Sequence, residues 1–525
     1  MLNLIRGWLL ALLCMPGLTL ADDAEEIRRF MEALDAGHAP VVSGSLLQFP
    51  DALSGIYRSR SHQPIWLAGG ELSEQVGYLI VAIEEGEHHG LPPRKYHLPA
   101  IEAAWSSDHM PVWELDILLT DAFLAQAAHR STGAVSPASI DDDWHVVAPE
   151  ADIAAIFDQL ISGHGSVLQA LSDLLPRARE YHALVEERRR IAATEHTDSI
   201  TVPPGPALRR GDRGERVLAL QERLLGPGAH DGIYGPNLEA AVMAFQSVSG
   251  LEADGVVGAN TIELLNASRF DWLDRLDANL ERWRWLPRET PANYVRVNIA
   301  SFDLTMVEYG QEVMSMDVIV GRPYRQSPVF TETIKYLVVN PFWNIPTRIA
   351  VQDKLPLLQQ DVVTLAAEGY EARINGTSDY LPVDQIDWGG VTRRNFNYQL
   401  RQRPGPANAL GRLKFMLPNA HAVYLHDTPA RELFDRTERL FSSGCIRIAD
   451  PEAFAQWLLK LDGSPSLPEF EQLMARNETS TVYLRQPVPV YIVYFTAFTD
   501  AGGNVVFRRD IYSRDRAVVE ALRAS

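Results

Sequence analysis

The chain has 525 residues, 46% of them hydrophobic and 22% charged, with a formal net charge of −20 at pH 7. That length predicts two to four globular domains with ordinary cores. The acidic balance excludes nucleic acid and anionic membrane surfaces as principal partners, since both repel a polyanion on average.

At the N-terminus Arg6 precedes an apolar run from Trp8 to Leu20, and Thr19-Leu20-Ala21 stands before Asp22-Asp23. This reads as an export signal over residues 1–21, with an apolar stretch short for a bilayer and small residues at the cleavage position. An uncleaved inner-membrane anchor is the alternative reading. There is no twin arginine, and Leu12-Leu13 before Cys14 does not fit a lipoprotein box. The expected destination is an oxidising exported compartment, the bacterial periplasm. Removal of the signal takes Cys14 with it and leaves Cys445 as the sole thiol. Such a cysteine either pairs with another molecule or stays free and reactive.

Residues 22–200 are expected to form a helical scaffold. Leu115, Leu118, Leu119, Ala122 and Phe123 recur at helical spacing, and Gly90-Leu91-Pro92-Pro93 breaks two such runs. His88, His89, His97 and His109 show no metal-ligand spacing and read as structural or surface residues. The Pro-rich residues 201–206 read as a stiff linker.

Residues 207–267 hold an internal repeat. Asp231-Gly232-Ile233-Tyr234-Gly235-Pro236-Asn237 returns 23 residues later as Asp254-Gly255-Val256-Val257-Gly258-Ala259-Asn260. Each copy is expected to start a helix, with Pro236 at a first helical position. These motifs, with Gly211-Asp212-Arg213-Gly214 and Phe245-Gln246, resemble the peptidoglycan-binding domain often fused to cell-wall enzymes.

From Tyr294 the texture turns to β. Alternating runs cover 294–302, 313–320, 335–340 and 422–425, and the 488–498 and 505–512 runs flank an Asp500-Ala501-Gly502-Gly503-Asn504 turn. A helix is expected from Pro451 to Leu461. Residues 346–404, helical stretches and loops, do not fit a compact sheet and read as a cap bordering the active site. The fold class is therefore multidomain α+β: helical scaffold, three-helix module, and a β-rich domain over 280–515 with the cap inserted.

Cys445 lies in Ser442-Ser443-Gly444-Cys445-Ile446-Arg447. Small residues around the sulfur and a cation two positions on favour a reactive thiol. A cysteine nucleophile needs a base and oxyanion donors. His426 is the leading base and His421 a competing one. The Gly444 and Cys445 N–H groups are the expected oxyanion donors, and Arg447 could hold a carboxylate or lower the thiol pKa. A zinc site from His421, His426 and Cys445 would lack a fourth ligand; no metal or cofactor is expected.

Tyr424-Leu425-His426-Asp427-Thr428-Pro429 followed by Phe441-Ser442-Ser443-Gly444-Cys445-Ile446-Arg447 resembles the signature of the L,D-transpeptidases, whose catalytic domain is the YkuD domain. Asn279-Leu280-Glu281-Arg282-Trp283-Arg284-Trp285-Leu286-Pro287, Asn340-Pro341-Phe342-Trp343-Asn344-Ile345-Pro346 and the 405–411 run look like the long Gram-negative, YcbB-like branch. Ser443 departs from short family members, which carry histidine there. The resemblance implies Cys445 as nucleophile, His426 as acid/base, Gly444 and Cys445 as oxyanion hole, and Tyr424, Ser443, Arg447 and Trp343 near substrate. It also implies peptidoglycan tetrapeptide stems as donor and acceptor, 3→3 cross-linking through a thioester, acylation by carbapenems, and a place among other cell-wall synthesis enzymes. Carboxypeptidase action or wall-protein attachment on the same nucleophile, and a non-catalytic wall-binding scaffold, are the rival readings.

Overall fold

The computed structural model describes residues 20–68, 70–106, 110–146, 151–162, 165–194, 200–463, 467–476 and 478–524. The signal expected over residues 1–21, with Cys14, falls almost entirely outside this set, as does His109. Among the described residues no helix is long and apolar enough to cross a membrane.

The scaffold is built around one helix, Val112–Thr132, buried along most of its length and on all sides. Two carboxylates on it receive the surrounding chain. Asp116 accepts from the Ile65 and Trp66 N–H groups and the Tyr57 hydroxyl, and Asp121 accepts from the Gln48 and Phe49 N–H groups and bonds His97 Nε2 at 2.7 Å. Buried carboxylates are tolerated because each is hydrogen-bonded. His89, against the Tyr181 hydroxyl, is buried as well, and His129, against Tyr96, is half-buried.

The repeat has a structural cause. Gln221 Nε2 donates to Asp231 and its Oε1 accepts from the Gly232 N–H; Gln246 repeats both bonds with Asp254 and Gly255. Each helix thus grips the Asp-Gly turn that follows it. The helices are Glu215–Leu225, Pro236–Val248 and Ala259–Leu265, around their own small core. Residues 201–206, expected as a stiff linker, are anchored to the module. Val202 is fully buried in that core, and its N–H and C=O both bond the Asn266 amide.

The helix Arg269–Arg284 joins this module to the C-terminal domain and carries most of the Asn279–Pro287 motif. Its residues face two ways. Asn279 bonds Thr496 of the C-terminal domain. Glu281 accepts from the Val135 N–H, Arg284 donates to His89 O at 2.8 Å, and Trp285 donates to Val135 O. The buried Arg284–Glu281 pair (2.6 Å) leaves neither charge uncompensated. The motif is a seam between the scaffold and the C-terminal domain.

The C-terminal domain is a closed sheet. Its strands are β1 (Asn293–Asn298), β2 (Asp303–Glu308), β3 (Gln311–Gly321), β4 (Phe330–Val339), β5 (Leu413–Met416), β6 (Leu425–His426), β7 (Leu440–Ser442), β8 (Ile446–Ile448) and β9 (Ser480–Val493). The order is β7-β3-β8-β6-β5-β4-β9-β1-β2, and β2 also pairs with β3, which closes the ring. Closure removes the exposed edges that an open sheet would leave. The helix after Cys445 runs Pro451–Asp462, capped by Asp450. Two expectations change. The 422–425 run contributes only Leu425–His426 as strand, because Ala422 is left-handed (φ 55°). The cap is not helices and loops alone: it has a four-stranded antiparallel sheet (Leu381–Pro382, Tyr370–Ile374, Tyr398–Gln402, Trp343–Asn344) and a separate core. Its short strands lie between polar loops, which hid the alternation.

Burial, assisted by nearby arginines, brings the imidazole of His89 down to about 2; burial also brings His129 and His426 to about 3. An unfolded histidine titrates near 6.5. Between that value and about 3 the unfolded chain therefore binds protons that the folded chain refuses. Stability present above pH 6.5 is lost as pH falls through this window. Two of the three histidines are in the scaffold, and Asp116, raised by burial to about 6, takes up a proton in the folded scaffold and offsets only part of their effect. Acidification from pH 7 to 4 is expected to unfold the scaffold before the closed sheet. Pulse hydrogen exchange at a fixed labelling pH checks this: Val112–Thr132 should lose protection first, and simultaneous loss with Phe330–Val339 contradicts it.

Candidate active site

Three neighbouring strands carry the chemistry. β5 and β6 are antiparallel and align Lys414 with His426; β6 and β8 are parallel and align His426 with Arg447. The adjacent row, Phe415, Leu425 and Ile446, is fully buried in the core. Strand alternation therefore puts Lys414, His426 and Arg447 together on the opposite face. Cys445 immediately precedes β8 and is half-buried beside this row. Its thiol lies 3.8 Å from Ala422 O and interacts with Tyr424. The Tyr424 and His426 rings meet edge-on, with centroids 5.5 Å apart.

The Ser442–Cys445 loop is held from two sides. Ser442 Oγ donates to Cys445 O at 2.5 Å and accepts from the Gly444 N–H at 3.1 Å. Ser327 Oγ donates to Gly444 O at 2.8 Å. Gly444 has φ +115°, a conformation that a side chain would strain. The expected pair of oxyanion donors is thus reduced to one in this conformation. The Gly444 N–H is turned onto Ser442, whereas the Cys445 N–H has no partner among the described residues.

His426 Nδ1 lies 2.5 Å from Asp427 O. A carbonyl only accepts, so Nδ1 carries the proton and Nε2 presents its lone pair. Burial first, then Arg447, with a lesser push from Lys414, hold the imidazole down to about 3 and hence neutral. Burial pushes the Cys445 thiol up; Tyr424, Lys414 and Arg447 pull it the other way without overcoming burial. The cation expected to activate the thiol is therefore present but outweighed. The thiol keeps its proton until a base takes it, and neutral His426 can accept it.

Two residues tie the cap to this site. Trp343 stands in the cap sheet opposite Gln402 and packs, with Tyr424, in the cap core. Arg325 donates to Ser443 Oγ at 3.0 Å while paired with Asp353 of the cap at 2.5 Å. The scaffold reaches in too. Its Asp143 and His145 backbone bonds both sides of Val329, two residues from Ser327, and the His145 ring stacks on His421 at 3.8 Å. His421, the competing base, is occupied by that stack.

Lys414 and Arg325 escaped the sequence reading, and Ser442 entered it only as a small residue near the sulfur, without its bonding role. A lysine in the polar phase of Leu413-Lys414-Phe415-Met416 reads as a solvent-facing strand residue; only the alignment of β5 with β6 puts it beside a thiol. Nothing local marks Arg325 or the bonding role of Ser442.

The C-terminal region, residues 292–490, matches the family described as L,D-transpeptidase catalytic domain, YkuD. Residues 213–265 match the "Putative peptidoglycan binding domain" family and residues 51–187 a scaffold domain family. Region by region, the chain is thus similar to a YkuD-type L,D-transpeptidase catalytic domain and to a peptidoglycan-binding module. It is similar, at 34% identity over 244 residues, to a "Putative L,D-transpeptidase" of Haemophilus influenzae, covering 46% of this chain and 48% of that protein. Over 60 residues it is 48% identical to the zinc D-Ala-D-Ala carboxypeptidase of Streptomyces albus G, covering 10% of this chain and 24% of that one. The chain spans about half of the first relative's length and about a quarter of the second's. Among solved structures, an L,D-transpeptidase (residues 123–326) from Xylanimonas cellulosilytica matches at 19% identity over 55% of this chain and 100% of that one; its TM-score of 0.17 carries no argument.

Proposed function

We infer that this chain is a periplasmic peptidoglycan L,D-transpeptidase of the multidomain, YcbB-like kind, forming 3→3 cross-links. The observation that carries the reading is a neutral His426, its Nδ1 proton committed to Asp427, on the strand between Lys414 and the Cys445–Arg447 segment. In the proposed reaction His426 Nε2 takes the thiol proton as the sulfur attacks the carbonyl of the stem's third residue, at the L-centre of diaminopimelate. The Cys445 N–H faces the oxyanion. Collapse breaks the amide bond to D-alanine, whose amine receives the proton from His426, and leaves a thioester on Cys445. The side-chain amine of a second stem's diaminopimelate then attacks, its proton passing to His426, and an amide replaces the thioester. One amide is broken and one formed, so no energy source is required. A base near 3 is a weak acceptor in the ground state but a strong acid toward the leaving amine. Arg447, with a buried Nε lacking a hydrogen-bond partner, is suited to a stem carboxylate. The cap, latched by Arg325 to Ser443, would keep water from the thioester. The 207–267 module would hold the chain on the wall, and a carbapenem would acylate the same sulfur.

Incubation with a disaccharide-tetrapeptide, read by mass spectrometry, tests the reading. A dimer lighter by one D-alanine, absent with Cys445→Ala, is the expected result. Tripeptide alone would make the chain a carboxypeptidase, and neither adduct nor product would leave a wall-binding scaffold.

A further inference from the structure

Lys414 is a half-buried cation between two core residues, Leu413 and Phe415. Among the described residues it makes no ion pair and no side-chain hydrogen bond. Its Nζ lies 3.9 Å from the centroid of the Tyr424 ring, a cation–π contact. The same tyrosine interacts with the Cys445 thiol. A desolvated ammonium with no counter-ion is costly unless an anion forms beside it. Within this row the group that becomes anionic is the sulfur.

We propose that Lys414 is the counter-cation of the Cys445 thiolate, acting partly through the face of Tyr424. The proposal rests on Cys445 being the nucleophile. A cation over the ring draws electron density from it and makes the Tyr424 O–H a stronger donor to sulfur. The ammonium also stabilises the negative sulfur directly, in a site where charge is poorly screened. The other charged and titratable groups facing this pair are His426 on β6 and Arg447 on β8; Arg322, after β3, and Glu432, after β6, act on Arg447. His426 is neutral, so the cations of this row are Lys414 and the permanently charged Arg447. Like-charge repulsion from Lys414 also keeps His426 unprotonated. The lysine thus favours charge on sulfur and disfavours it on imidazole. Within the proposed reaction it is a positioning residue for charge.

The test uses the full chain and iodoacetamide, following alkylation of the tryptic fragment Leu440-Phe441-Ser442-Ser443-Gly444-Cys445-Ile446-Arg447 across pH 6–10. Lys414→Met should move the alkylation profile up by about one pH unit, about a tenfold slower reaction at pH 8. Lys414→Arg should restore most of that rate, although it fits the ring differently. Tyr424→Phe, which keeps the ring but drops the hydroxyl, should move the profile in the same direction as Lys414→Met. An unchanged profile in Lys414→Met, at an unchanged melting temperature, overturns the proposal. So does an unchanged profile with a raised KM for the tetrapeptide, which would assign the cation to substrate. Loss of alkylation in both Lys414 variants with a lowered melting temperature would make the lysine structural and also overturn it. Failure of the transpeptidase reading looks different: wild-type alkylation would keep its Lys414 dependence while the tetrapeptide yields no thioester and no product.

Discussion

Replacing His426 with glutamine should slow acylation of Cys445 by about 10²- to 10⁴-fold, the usual worth of a positioned base. Glutamine is close in size and can still bond Asp427 O, so the loss reports the base rather than collapse of the strand. The pH profile of the wild type carries the sharper expectation. A general base works only while unprotonated. Because burial, Arg447 and Lys414 hold this imidazole down to about 3, it stays neutral through the whole range from pH 5 to 8. The acylation rate at constant thiolate fraction should therefore show no acid limb near 6.5, where an ordinary histidine would give one. Single-turnover acylation by a carbapenem between pH 5 and 8 measures it. A limb centred near 6.5 would mean that the imidazole is solvated in the working state, with the cap open.

The neutral base and the poorly ionised thiol arise from burial, and burial is what a sequence conveys least directly. The candidate base and thiol were legible as candidates. His426 and Cys445 stand out because a polar residue ends an apolar run and a glycine turn precedes a lone thiol. The module was legible for a different reason: its repeat is in the sequence, and Gln221 and Gln246 occupy equivalent positions before each Asp-Gly turn. The parts that were missed depend on register. That Lys414 meets His426 follows from the alignment of β5 with β6, set by residues far along the chain. The cap sheet was missed because its central strand pair joins Tyr370–Ile374 to Tyr398–Gln402 across a long polar loop. Ala422 is the clearest case of local propensity giving way. Apolar Ala422-Val423-Tyr424-Leu425 invites a strand, yet the left-handed Ala422 ends it and presents its carbonyl to the thiol. A non-glycine residue in that region costs about 1–2 kcal/mol, which the surrounding packing must offset.

The 405–411 run shows how a motif remote from the thiol bears on it. Gly411 has φ +58°, and a Cβ there would stand 2.2 Å from Asp427 Oδ2 and 2.3 Å from its Cγ. Asp427 cannot easily yield. Its side chain accepts from the Arg412 N–H at 2.8 Å, from the Thr428 N–H at 2.7 Å and from Arg431 at 3.1 Å. Its backbone carbonyl is the group that fixes the His426 tautomer. Gly411→Ala should therefore displace Asp427 and loosen the imidazole, even though Gly411 itself touches no reacting atom. Misplacement by about 1 Å is enough to cost on the order of 10²-fold in rate. Acylation is expected to fall about 10- to 100-fold, with an added stability loss of about 1–2 kcal/mol for the left-handed alanine. Gly376→Ala separates the two effects. That glycine is also left-handed (φ +90°), but nothing lies within 4 Å of a Cβ built on it. It should lose a similar amount of stability and keep wild-type acylation. Equal acylation rates in both alanine variants would mean that Asp427 can move without taking His426 with it, and that the carbonyl contact does not set the geometry of the base.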